Sequence, residues 1–302
     1  MKKILTILGL FSCFLAAHSF AGMVESPSTD GGGDQLDIEF NLDGAFIGGA
    51  DVVRGGRRRI NDFTEGNFLA RFLVLPRTPI GYLRLGAEYE TYGFDISENA
   101  QVPDRLQSIA FVVGLDTKFS DSVLIRFEAK PGFYSADEFE GEDFNVPFVL
   151  GGTYLYSSSL QFVFGIGVDY ESKYPVLPGG GIRWKFAPQW VLNAVLPQPR
   201  LEYEVNSNLL LYAGAELRSK NFRVDDNFVG DSSDPGRLNN AILSYTEVRT
   251  GAGLVWKIGG ACKLSVEGGY LPYREFDYHR ADIRYKSDGG APYGSVSFHS
   301  AF

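Results

Sequence analysis

The last nine residues, Gly294 to Phe302, read GSVSFHSAF, and their alternation sets the frame for the whole chain. Gly294, Val296, Phe298, Ser300 and Phe302 fall on one face of a strand; Ser295, Ser297, His299 and Ala301 fall on the other. A largely apolar face opposite a small polar one is what a strand needs between lipid and a wet lumen.

The same period of two recurs upstream. Leu83, Leu85, Ala87 and Tyr89 alternate with Tyr82, Arg84, Glu88 and Glu90, and Val123, Ile125, Phe127 and Ala129 alternate with Arg126, Glu128 and Lys130. Leu160 to Glu171, Leu209 to Lys220 and Tyr245 to Ile258 repeat the design, so the elements are strands. A soluble antiparallel sandwich, with one face in a core and one in water, is the competing reading. Two features oppose it. The strands run to about ten residues or more, against about five or six in soluble sheets. Tight connections (76–79, 120–121, 157–159, 187–189, 206–208, 259–261) also alternate with long polar ones (50–58, 97–104, 136–144, 221–239, 279–291). Short turns at one end and long loops at the other is the plan of a transmembrane barrel.

Parity refines the count. One strand over Trp190 to Val205 gives an odd number and breaks the alternation of turns. A split at Leu196 to Pro199 restores both, because Pro197 and Pro199 cannot donate to a ladder. The expectation is an all-β, antiparallel, up-and-down barrel of about fourteen strands over residues 35–302, with twelve as the alternative. Trp184, Trp190, Tyr203, Trp256 and Phe302 lie beside the tight-turn end and are expected to form an interfacial aromatic belt.

At the other end of the chain, Lys2 and Lys3 precede an apolar run from Ile4 to Ala17, with Ser19 and Ala21 as small residues before a cleavage point. Residues 1–21 read as a secretory signal peptide and 22–34 as a flexible segment. Loss of the two lysines takes the formal net charge from -9 to -11. An acidic chain is not a nucleic-acid binder. Cys262 is then the one remaining cysteine, which excludes an internal disulfide.

The segment LNAVLPQPRLEYEVNSNLLLYAG, Leu192 to Gly214, resembles a family of predicted bacterial outer-membrane barrels grouped under a domain-of-unknown-function label; the likeness is sharpest around Pro197, Pro199, Leu201 and Tyr203. The terminal segment, through Val296, Phe298 and Phe302, resembles the signal by which such barrels are handed to their assembly machinery. The resemblance implies the barrel fold and a bacterial outer-membrane location, and it brings no catalytic residues.

The inward faces carry Arg84, Glu88, Glu90, Asp116, Lys118, Arg126, Glu128, Lys130, Asp169, Arg183, Lys185, Arg200, Glu202, Glu204, Glu216, Arg218, Glu247, Arg249, Lys257, Lys263 and Glu267. Signs are nearly balanced, so these charges either fill the lumen as cross-strand pairs or line a narrow wet path. The expected function is a narrow passive channel or conduit for small solutes. The alternative is a non-conducting structural or surface-binding barrel acting through its loops.

Enzyme chemistry finds little support. His279 and His299 outlast the leader; Ser300 lies on the face opposite His299, and Ser297 shares its face without an acidic orienter, so an outer-membrane lipid hydrolase is the weakest reading. No catalytic residue, cofactor or metal ligand is assigned. The acidic loops (Asp137, Glu138, Glu140, Glu142 and Asp143; Asp225, Asp226, Asp231 and Asp234) lack the spacing of a calcium loop. The basic run RGGRRR, Arg54 to Arg59, suits either pairing with these loops or contact with phosphates of outer-membrane lipid and lipopolysaccharide.

Overall fold

A computed structural model of the chain describes residues 36–54, 58–95, 102–226, 228 and 238–302. The expected leader, the segment at 22–34, Asp231, Asp234 and the side chains of residues 57–59 lie outside the described residues. Among the described residues the strands form fourteen staves. They are β1 (Asp37–Arg54), β2 (Arg58–Leu75, continued by Arg77–Thr78), β3 (Gly81–Asp95), β4 (Arg105–Ser120), β5 (Val123–Ala129 and Gly132–Ala136), β6 (Phe144–Asn145 and Phe148–Leu155) and β7 (Leu160–Val168). The second half comprises β8 (Val176–Ala187), β9 (Trp190–Val195), β10 (Arg200–Glu204), β11 (Leu209–Val224), β12 (Ile242–Ile258), β13 (Cys262–Tyr278) and β14 (Ile283–Asp288 and Ala291–Ala301).

Proline explains two of the interruptions. Pro131 and Pro147 have no N–H for the ladder, yet their carbonyls still accept, from Phe111 N at 2.9 Å and from Lys130 N at 2.9 Å. The break in β14 falls at Gly289, whose φ of +107° is open to glycine.

Each stave is antiparallel to the next, and β1 pairs with both β2 and β14, placing Phe40 opposite Phe72 on one side and Ser300 on the other. The sheet is therefore closed and, at this level, has no edge. The tight turns expected at 76–79, 120–121, 157–159, 187–189, 206–208 and 259–261 lie at one end, called here the inner end, while the short turns at 196–199 and 279–282 face the other way. The split at Leu196 to Pro199 is present, between β9 and β10. The stretch expected as a long loop at 279–291 is largely strand: Ile283–Asp288 pairs with the outer end of β13 (Phe276 opposite Tyr285) and with β1 (Val52 opposite Ser287). Its Ile283 and Tyr285 are apolar and buried, and it is this burial that draws the segment into the wall.

Outside, the barrel is apolar. Phe68, Phe72, Phe111, Phe127, Phe162, Phe164, Leu201 and Leu211 are exposed on the outer surface, far more apolar area than a water-facing sheet carries. No described helix is long and apolar enough to cross a membrane, so any crossing is made by strands.

The wall is uneven in height. β9 and β10 have six and five residues, whereas a strand needs about nine to eleven to cross a bilayer. The turn joining them is sewn into the neighbouring staves: Leu196 N donates to Gly180 O (3.2 Å), Ala215 N to Pro199 O (3.0 Å) and Leu217 N to Pro197 O (3.0 Å). Farther out, the free edge of β11 pairs in parallel with β5, Arg223 with Ser135 and Val224 with Ala136. The sheet thus forks: fourteen staves enclose the inner half, and nine (β11 to β14 and β1 to β5) close around the outer half. The end of the β7–β8 hairpin seals the fork. Asp169 accepts from Asn145 Nδ2 at 2.7 Å and from Asn221 Nδ2 at 2.6 Å, and Arg223 pairs with Glu171.

Candidate functional site

Among the described residues the interior of the barrel is filled in layers. Outermost is an aromatic plug inside the nine-stave section. Phe63 of β2, Phe94 of β3, Tyr245 of β12 and Phe276 of β13 are buried with ring centroids 4.9–5.6 Å apart, and Tyr92 and Phe222 extend the group. These residues occupy the inward positions of their strands, and narrowing from fourteen staves to nine brings them into contact.

Beneath the plug lies a layer of charge. Glu65 and Arg274, both fully buried, meet at 2.9 Å. Arg249 Nη2 lies 2.7 Å from Glu247 Oε1. The Tyr245 hydroxyl spans the two layers, donating to Glu65 at 2.6 Å. Across the lumen, Glu128 takes Arg71 at 2.7 Å and Arg84 at 3.1 Å; Lys130 binds Glu88 at 2.7 Å; Lys220 binds Glu90 at 2.6 Å. Asp116 bridges Arg84 and Arg126. Buried ions at this density hold only when paired, because the loss of hydration outweighs an unpaired charge's other contacts.

The structure brings Arg84, Glu88, Glu90, Asp116, Arg126, Glu128 and Lys130 into one network, through Arg71 and Lys220, and pairs Glu216 with Arg218 and Glu247 with Arg249. Arg183 pairs with Glu202 at 3.4 Å and Lys185 with Glu204 at 2.6 Å, closer to the inner mouth. Three positions differ from the lumen reading. Lys118 stands on the inner rim, paired with Asp121, and Lys257 is exposed near the β12–β13 turn. Both are one or two residues from a turn, where inward and outward lose their meaning. Asp169 sits in the wall at the fork, held by two asparagines.

Sequence reasoning missed Glu65, Arg71 and Arg274. Each lies where charge is buried among apolar positions, and the two-residue period around Glu65 (Phe63, Glu65, Asn67) was available as the signal.

At the inner end, Trp190 packs against Tyr203 in a tilted pair with centroids 4.8 Å apart, Trp184 lies 5.5 Å from Phe186, and Trp256 is exposed on the outer surface. His299 faces Asn41 across the β1–β14 seam, and His279 lies at the outer end, where burial pushes its imidazole below the usual range. In the outer loops, burial and the carboxylates of Asp137, Glu140, Asp143 and Glu138 push Asp225 up to about 6. Among the described residues no cluster has the arrangement of a metal site.

In the inner half, a small recess with room for about one water molecule is lined by Arg200, Tyr212, Gly214, Ala215, Glu216, Arg249 and Glu267. It lies directly inside the short β9–β10 turn, since Gly214 is opposite Arg200 and Ala215 N is bonded to Pro199.

Many solved structures are similar to the chain at low identity. An outer membrane channel from Pseudomonas putida F1 shares 9% identity over 92% of this chain and 100% of its own, with a TM-score of 0.49. A Pseudomonas aeruginosa FadL homologue shares 10% over 89% and 90%, TM-score 0.38, and the Pseudomonas putida toluene transporter TodX 12% over 93% and 93%, TM-score 0.35. No functionally curated protein matches the sequence. Residues 80–293 match the family described as a domain of unknown function (DUF6268), and the chain belongs to that family.

Proposed function

We propose that the protein is an outer-membrane conduit for small solutes that is shut in the state described, with its mouth on the periplasmic side and its outer half closed by the aromatic plug. Export by the expected leader and the apolar outer surface support the location. The observation that carries the reading is the uneven wall around a charge-lined lumen: a barrel built only for structure has no need to leave two strands of six and five residues at half height.

A passive, permanently open pore fits less well, because the aromatic plug fills the outer part of the path that such a pore requires. The filled interior equally favours a second reading, a non-conducting barrel. Planar-bilayer recording separates them. The wild type is expected to be silent, and a variant with Phe63, Phe94 and Phe276 all changed to alanine, shown to be folded by its migration on an unheated gel, is expected to conduct in discrete steps. A folded triple variant that stays silent overturns the conduit reading.

A further inference from the structure

We infer that the end of the β7–β8 hairpin, residues 169–175, is a movable strap over a seam in the barrel wall, and that small solutes enter the inner half through this seam, beneath the aromatic plug. The inference rests on the conduit reading and supplies the route that the plug denies.

A closed barrel is a continuous ladder, and at the fork the ladder stops on both sides. β8 pairs with β9 from Gly181 inward; beyond the bond from Leu196 N to Gly180 O, residues 176–179 have no strand beside that edge among the described residues. β11 is tied on its β10 side as far as Leu217 N, which donates to Pro197 O. From there to Arg223, where β5 takes over, no described strand runs beside it. Bare strand edges do not stand in lipid, so this stretch needs a cover.

The cover is made by side chains. The strap lies across the outer faces of β11 and β13: Asp169 accepts from Asn221 at 2.6 Å, Glu171 pairs with Arg223, and Lys173 Nζ is 3.3 Å from Asp277. Ser244 of β12, between them, donates to Asn221 Oδ1 at 2.6 Å. Asn221, Ser244 and Asp277 point outward because their neighbours Phe222, Tyr245 and Phe276 point into the plug. The strap's own backbone bonds close within the hairpin, Asp169 N to Pro175 O at 2.9 Å and Ser172 N to Asp169 O at 3.1 Å. It is a self-bonded turn that can leave the wall without breaking a ladder, and water or lipid headgroups can replace the polar contacts it gives up.

Its height suits an entrance. The outward side chains of β11 are apolar from Leu211 to Leu217 and polar at Ser219 and Asn221; those of β12 change between Val248 and Thr246. The seam therefore begins where the apolar band ends, at the level of lipid headgroups. On the inward face of the same stretch of β11, Arg218 and Lys220 belong to the charge layer, paired with Glu216 and Glu90. Lifting the strap connects the outer surface to that layer without moving Phe63, Phe94 or Phe276.

The test leaves the plug intact. Asp169→Ala with Glu171→Arg removes one contact and sets like charge against Arg223. Shown to be folded by its migration on an unheated gel, this variant is expected to conduct in discrete steps where the wild type is silent. In a Cys262→Ser background it is also expected to let a membrane-impermeant maleimide reach Lys185→Cys from outside intact cells, at least about tenfold faster than with the strap unaltered. Adding Arg223→Glu restores a pair of opposite sense and is expected to slow that labelling at least about threefold, which a general loosening of the barrel would not do. A folded strap variant that stays silent or unlabelled, or labelling unmoved by Arg223→Glu, overturns the inference. Conduction by the plug variant beside a silent strap variant leaves the conduit reading standing and moves entry to the plug; silence of both removes both.

Discussion

Replacing Phe276 by alanine tests the aromatic plug most sharply. The side chain is fully buried and has three ring neighbours: Phe63 at 5.6 Å, Phe94 at 5.3 Å and Tyr245 at 4.9 Å. Burial of a phenylalanine is worth about 1.5–3 kcal/mol, and each aromatic pair adds about 0.5–1.5 kcal/mol. The protein cannot collapse onto the void, because the neighbours are fixed by a closed sheet, so the loss belongs near the top of the range of about 3–5 kcal/mol found for such truncations. Phe111 is the control. It is 71% exposed on the outer surface, where lipid chains close over any gap, so Phe111→Ala forfeits the transfer contribution alone, about 1.5–3 kcal/mol. Urea titration of the protein folded in short-chain phosphatidylcholine vesicles, read by migration on unheated gels, gives both values. Phe276→Ala is expected to exceed Phe111→Ala by about 2 kcal/mol. Equal losses would mean that the ring at 276 meets solvent or lipid, and the plug would not exist.

Glu128→Ala leaves Arg71 and Arg84 buried without their shared carboxylate and should cost about 3–5 kcal/mol in the same titration; Lys118→Ala, at the rim, should be indistinguishable from wild type. Gly81 has a φ of +142°, and a Cβ there would lie 2.1 Å from Asp116 O, so Gly81→Ala should destabilise by at least about 1 kcal/mol, measured the same way. Asp225 is held up to about 6, above its unfolded range, so its folded-state penalty is absent below about 4, grows as pH rises from there to about 6 and is complete above it. Cleavage in the β11–β12 loop should therefore be slower at pH 5 than at pH 7.5 in wild type relative to Asp225→Asn; the same ratio at both pH values would contradict this.

The alternation that placed Leu83, Leu85 and Ala87 outward against Arg84 and Glu88 is a local property of an extended chain, and so it was legible in the sequence. So was the split at Pro197 and Pro199, because a missing N–H is visible in a residue name. The plug was not. Phe63 and Phe276 share the inward face with Glu65 and Arg274, and a period of two reports the face but not the height along the axis or the width of the barrel there. That width depends on Arg223 and Val224 meeting Ser135 and Ala136, a parallel contact between segments almost ninety residues apart that no local pattern announces. Asn221 and Ser244, polar on the outer face, are its local trace: they are covered at the fork by Asp169 rather than turned to lipid.

Side-selective thiol labelling tests the central claim, a barrel open at its tight-turn end and sealed at the other. In a Cys262→Ser background, Lys173→Cys places a thiol on the outer rim and Lys185→Cys places one at the inner mouth. With a membrane-impermeant maleimide on intact cells, the account predicts rapid labelling at 173 and none at 185, with both labelled once the outer membrane is permeabilised. Labelling at 185 from outside, as fast as at 173, would contradict the sealed outer half.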